Sequence, residues 1–185
     1  MRANFTWMLK SAARQPAIFF AVADFVKAAP WPTCARMFVM LRDKNLIPLS
    51  HQHQHALGLC VLIQRALDGT APDLPQLQSE IETAWVQEIS LHFEAEEAHL
   101  FPAARQVGLQ TLVAELIAEH QALRKAFETA GARAMSSGQM RDFAAQLSAH
   151  VRKEERQLFE ECQARMDPAI LGAVGAALEA CFATH

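Results

Sequence analysis

The sequence predicts an all-α protein: an antiparallel up-down-up-down four-helix bundle with an extra N-terminal helical segment and a short C-terminal helix. Three observations carry that expectation. Ala and Leu are abundant and β-branched runs are missing, a composition that favours helix over strand. Long stretches repeat their apolar residues at three- and four-residue spacing, as a helix buried along one face does. Short Gly-, Pro- and Ser-containing segments join them, and short loops between long helices make antiparallel neighbours.

Residues 4–29 read as one or two helices ended by Pro30 and Pro32. Their apolar run at 17–23 is interrupted by Asp24 and Lys27 and is too short to span a membrane. Its flanks make a poor secretory leader. The stretch from Met40 reads as a natural protein start, with residues 1–39 an over-extended gene start. Ser50 is the expected N-cap of the first bundle helix, which runs to about residue 67. The segment 68–75 holds Gly69 and two prolines and reads as a loop. The second helix is expected over about 77–107, ended by Gly108 and kinked or interrupted at Pro102. The third is expected over about 110–135, before the turn Ser136-Ser137-Gly138, and the fourth over about 140–166. Asp167 and Pro168 then supply the N-cap and first position of the C-terminal helix. The expected partition is therefore an extension at 1–45, a bundle at 46–166 and a C-terminal helix at 167–185 packed on the bundle.

Composition narrows the function. Formal net charge is −3 with no basic block, which argues against nucleic acid and anionic membrane as partners. Cys34, Cys60, Cys162 and Cys181 show no C-x-x-C or zinc-finger spacing and read as reduced thiols of a cytoplasmic protein. Tyr is absent, so tyrosyl-radical chemistry is excluded. The apolar first helix carries Leu57, Leu59, Val61, Leu62 and Ile63 nearly all round. Such a helix needs cover on both sides, from the N-terminal stretch or from a second copy in a homodimer.

The chemistry lies in a repeat. His-x-x-x-Glu-Glu-x-x-Leu-Phe occurs at His92–Phe101 and again at His150–Phe159. Four-residue spacing places His92 with Glu96, and His150 with Glu154, on one helix face one turn apart. Those faces are otherwise apolar. The second helix offers Trp85, Ile89 and Phe93, the third Val113, Leu116 and Leu123 around His120, and the fourth Phe143, Leu147 and Val151. A buried carboxylate is costly unless paired or metal-bound. His and carboxylate together form the ligand set of iron, manganese or zinc. On the first helix, His53 shares a stripe with Leu57, Cys60, Gln64 and Leu67, while His51 and His55 lie on another face as outer-layer, surface or additional ligands. Glu97 and Glu155 point partly off the stripe and are expected to be solvated or to support the ligands. His99 reads as structural or as part of the rim. Cys60 and Cys162 read as small buried hydrophobes.

These residues resemble the hemerythrin-like (HHE) domain family over about residues 46–166. The family pattern is one His from the first helix, H-x-x-x-E from the second, one His from the third and H-x-x-x-E from the fourth. Ferritin-like di-iron bundles differ, with a Glu-x-x-His motif that neither copy here fits. The resemblance implies His53, His92, Glu96, His120, His150 and Glu154 as ligands. It also implies two non-haem iron ions bridged by carboxylates and an oxo or hydroxo group, with manganese or zinc as alternatives. Coordination positions would remain for a small ligand: dioxygen, nitric oxide or peroxide. The expected function is binding or sensing such an oxidant. The alternatives are a peroxide- or nitric-oxide-reducing enzyme, and iron storage or donation in iron–sulfur cluster repair. Oxygen-carrying members have a fifth His four residues from the third-helix ligand. Leu116 and Arg124 hold those positions here, which argues against a simple oxygen carrier.

Overall fold

In the computed structural model, residues 41–183 are described, and the expected N-terminal helical extension lies outside them up to residue 40. Five helices follow one another. α1 is Ile47–Leu67, α2 spans 74–106, α3 is Gln110–Gly131, α4 spans 137–165, and α5 is Pro168–Phe182. The described residues contain no strand. α1 packs chiefly on α4 and α2 on α3, giving the helical bundle expected from composition and spacing.

The helix starts follow local chemistry, in part differently from the expectation. Ser50 does not cap α1. That helix begins at Ile47, carries Pro48 in its first turn, and follows a 3-10 turn, Lys44–Leu46, capped by Asp43. Proline is tolerated there because first-turn N–H groups have no intrahelical acceptor. α2 likewise starts earlier, at Leu74 with Pro75 in its first turn, and the Asp73 carboxylate accepts from Gln76 N–H. Residues 137–139 are helix rather than turn. Ser136 and Gln139 form a capping box that satisfies donors at the start of α4. Gly108 ends α2 at φ +90°, a conformation open to glycine at little cost. α3 ends at Gly131, and Arg133 behind it sits at φ 58°.

Pro102 does not interrupt α2. The wide turn Glu96–Leu100 precedes it, with Phe101 N–H reaching back five residues to the Glu96 carbonyl. The second repeat copy widens at the same point, Glu154–Leu158, where Phe159 N–H bonds to the Glu154 carbonyl. A third wide turn lies at Trp85–Ile89. Such π-turns insert a residue into the helix and turn the following side chains onto a new face. In both copies that brings the Leu-Phe pair into the core: Leu100, Phe101, Leu158 and Phe159 are all buried.

Two apolar clusters form the core. One joins Leu46, Leu49, Leu100, Phe101, Leu116 and Phe159 to Leu171, Val174 and Leu178 of α5. The other joins Ala56, Ile63, Phe93, Leu123, Phe127, Phe143 and Leu147. In sequence, each bundle helix passes from one cluster to the other through the predicted polar residues. On α1, His53 falls between Leu49 and Ala56; on α3, His120 falls between Leu116 and Leu123. The chain approaches closely at Gly175, where an added Cβ would lie 2.5 Å from Asn45 Oδ1.

On the outer face of α1, Val61 and Leu62 are exposed among the described residues. No helix of the described residues is long and apolar enough to cross a membrane.

Candidate metal centre

All six residues singled out in the sequence meet between the two apolar clusters. His53, His92, His120 and His150 are buried, and Glu96 and Glu154 are fully so. Their donor atoms form two overlapping groups. His53, His92, Glu96 and Glu154 make one; His120, His150, Glu96 and Glu154 make the other. Within each group the donor atoms lie within 4.8 Å of one another. Both carboxylates belong to both groups, as bridging ligands must.

The imidazoles face inward through Nε2. His53 Nε2 and His92 Nε2 are 3.1 Å apart, and so are His120 Nε2 and His150 Nε2. Glu154 Oε2 lies 3.2 Å from Nε2 of both His53 and His150. Glu96 Oε2 lies 3.4 Å from His92 Nε2 and 3.5 Å from His120 Nε2. Despite these approaches, none of the four carboxylate oxygens has a well-formed hydrogen bond. A buried carboxylate without partners is costly, and a cation between it and the imidazoles would remove that cost.

Each outward Nδ1 is held by an acceptor. His53 Nδ1 donates to Glu155 at 2.8 Å, His120 Nδ1 to Glu97 at 2.8 Å, His150 Nδ1 to Glu119 at 2.9 Å, and His92 Nδ1 to the Gln52 side-chain oxygen at 2.8 Å. Because every Nδ1 faces an acceptor, its proton is assigned there, which leaves Nε2 as the lone-pair atom for a metal. The three carboxylates are themselves anchored. Arg42 Nη2 lies 2.6 Å from Glu155 and Arg124 Nη1 2.8 Å from Glu97, while Lys153 binds Glu119. Aromatic rings fix the remaining faces. Phe93 and Phe101 stack on His120 at centroid distances of 3.7 and 5.4 Å, and Phe159 stacks on His53 at 5.4 Å.

Protons distribute unevenly over the cluster. Burial and the Glu154 charge push the Glu96 carboxyl well above the usual carboxylate range. Burial would raise Glu154 too, but His150 and His53 outweigh it and hold Glu154 well below that range. Burial opposes charge on His150, yet Glu154 and Glu119 raise it to about 9. His53 is raised in the same way by Glu154 and Glu155 against its burial. Burial lowers His120 to about 4 and takes His92 well below its ordinary value. Glu154 is therefore the carboxylate that its flanking histidines, His150 and His53, keep ionised.

A scan against family models matches residues 48–162 to the hemerythrin HHE cation-binding domain. The chain belongs to that family. No curated protein and no solved structure matches it. The HHE pattern accounts for the His/Glu cluster, which is compatible with a metal-binding site. It does not require every nearby histidine. His51 is exposed, and His55, 70% exposed, bonds to Glu88 at 3.0 Å instead of joining the cluster. His99 bonds to Cys181 Sγ at 3.3 Å, away from the cluster.

The outer acceptors follow the sequence expectation only in part. Glu97 and Glu155, expected to be solvated or to support the ligands, each support a histidine of another helix. Gln52 and Glu119 are not marked by the apolar-stripe pattern. Each immediately precedes a predicted ligand histidine, His53 or His120, and that shared position is the signal that could have found them.

Proposed function

We propose that this HHE bundle is a non-haem di-iron protein that binds or senses a small oxidant: dioxygen, nitric oxide or peroxide. The observation that carries the reading is the double use of Glu96 and Glu154, whose partnerless oxygens face two histidine pairs at once. His53 and His92 would hold one ion and His120 and His150 the other, with both glutamates between them. Bound iron supplies reversible redox change and open positions for a small ligand. The protein's part is to present four Nε2 lone pairs, keep two carboxylates dry, and exclude bulk water with Phe93, Phe101 and Phe159.

Two further observations fit a small ligand. A cavity of about 10 Å³ adjoins His53, His92 and His150, with Ala56, Ile89 and Phe93 among its walls, and it has room for one water-sized molecule. No fifth histidine serves α3: Leu116 is fully buried in the apolar cluster, and Arg124 is tied to Glu97. That argues against a simple oxygen carrier. We place the protein in the cytoplasm, in keeping with the buried, unpaired thiols of Cys60 and Cys162.

Metal analysis and an optical spectrum of protein from iron-supplemented cells test the reading. About two irons per chain with oxo-bridge bands in the near ultraviolet are expected. A metal-free product that takes up no iron on reconstitution would refute it. Titration with oxygen, nitric oxide and peroxide then separates stable binding from turnover with an electron donor, which would instead mark a reducing enzyme.

A further inference from the structure

The cluster has an approximate internal two-fold pattern, and one residue breaks it. His53 of α1 corresponds to His120 of α3, and the repeat on α2 corresponds to that on α4. Glu155 supports His53 as Glu97 supports His120, each at 2.8 Å from Nδ1. The remaining pair of supports does not match. His150 donates to the Glu119 carboxylate, whereas His92 donates to the neutral amide of Gln52. Positions 52 and 119 each precede a histidine of the cluster, so the equivalent positions carry an amide on one side and a carboxylate on the other.

An anionic acceptor on Nδ1–H makes the imidazole a stronger metal donor than a neutral acceptor does. The His120/His150 pair has two such acceptors and the His53/His92 pair has one. Each of the three carboxylates also carries a cation, Arg42, Arg124 or Lys153, so both pairs share that feature and the difference rests on Glu119 against Gln52. Lys153 contacts Glu119 on its outer side, while the carboxylate itself touches the imidazole at 2.9 Å. Placement adds an independent asymmetry. The small cavity is walled by Gln52, Ala56, and both His53 and His92, while His150 is its single contribution from the other pair.

We propose that Gln52 and Glu119 make the two metal positions unequal. The position at His120 and His150 fills first and holds its ion more tightly. The position at His53 and His92, which faces the cavity, holds its ion more weakly and exchanges it. This rests on the two-metal reading above, and it makes Gln52 and Glu119 positioning residues that act through the histidines.

Zinc titration of the metal-free full-length chain tests the idea without any activity. A competing chromophoric chelator yields two stepwise dissociation constants, and imidazole proton–nitrogen spectra show which histidines respond to the first equivalent. In the unaltered protein, His120 and His150 should respond first. Repulsion between two cations would weaken the second step in any such site, so the variants decide. Gln52→Glu should tighten the second step about 10-fold or more and leave the first unmoved. Glu119→Gln should weaken the first step by about the same factor. The double exchange Q52E/E119Q should reverse the order, with His53 and His92 responding first. Both changes are nearly isosteric, and circular dichroism before titration reports whether each variant folds. Should one fail to fold, the filling order in the unaltered chain and the other variant still decide. Two zinc ions bound in an order indifferent to residues 52 and 119, or first at His53 and His92, would overturn this inference alone. Failure to bind zinc or iron at all would overturn the metal reading with it.

Discussion

Replacing Glu96 by methionine should make the metal-free protein more stable while disabling its centre. Glu96 is fully buried, both its oxygens lack well-formed hydrogen bonds, and burial beside the Glu154 charge pushes its carboxyl well above the usual carboxylate range. An unsatisfied buried polar group costs about 1–3 kcal/mol. Methionine has similar length, fills irregular space, and carries no group that needs a partner. The E96M chain should therefore gain about 1–3 kcal/mol without metal, since neither Glu96 oxygen has a well-formed hydrogen bond to lose. That corresponds to a rise in Tm of roughly 2–12 °C for a domain of this size. Bound metal should fall at the same time, because one carboxylate shared by both donor groups is gone. Thermal and urea unfolding in excess chelator, followed by circular dichroism, measure the first effect, and elemental analysis measures the second. Glu97→Met is the control. Glu97 bonds to His120 and Arg124, so its loss should destabilise the protein. A metal-free E96M protein that melts below the parent, or one that retains its full metal content, would refute the reasoning.

Glu154→Ala should behave in the opposite way from E96M in chelator. Glu154 is the carboxylate held between His53 and His150, so its removal should cost the fold in chelator about 3–5 kcal/mol in urea unfolding. The metal-free protein should also lose stability in alkali. His150 is raised from 6.5 to about 9, so its contribution is complete below pH 6.5 and disappears as pH rises through about 9. That contribution is on the order of 3 kcal/mol for this buried ring. His120, lowered to about 4, works on the acid side, where the unfolded chain takes up its proton first and stability falls as pH drops from 6.5 through about 4. Chelator-treated protein should therefore melt highest near pH 6.5, and metal should flatten the alkaline slope; a Tm that climbs steadily from pH 6.5 to 9 would contradict the assignment. Phe159→Ala should cost about 3–5 kcal/mol and remove the ring stacked on His53, seen as broadened His53 signals in the metal-free spectrum.

Much of the centre was legible in one dimension because a helix converts spacing into direction. His92 with Glu96, and His150 with Glu154, are four apart, so each pair shares a face whatever surrounds it. Their position on apolar stripes already placed them inside. The choice of His53 over His51 and His55 followed the same rule, and the structure brings His53 into the cluster while His51 and His55 stay exposed. Helix starts were less legible. Pro75 lies in the first turn of a helix, where proline is tolerated, rather than in the expected loop at 68–75, and Ser136 caps a helix through Gln139, a residue short of the expected start at about 140.

The sequence by itself determined the helical class, the four-helix stripes, and the six side chains that must be buried together, since all of these depend on local spacing and on the cost of burying charge. Only the tertiary structure decided which acceptor holds each Nδ1, because Glu155 reaches His53 across 102 residues and Gln52 reaches His92 across 40. It alone decided that Glu96 and Glu154 stand in both donor groups, and that the π-turns swing Phe101 and Phe159 over histidines of other helices. Those outcomes depend on the rotation and depth of one helix against another. Packing of the whole core sets both, and no residue spacing encodes them.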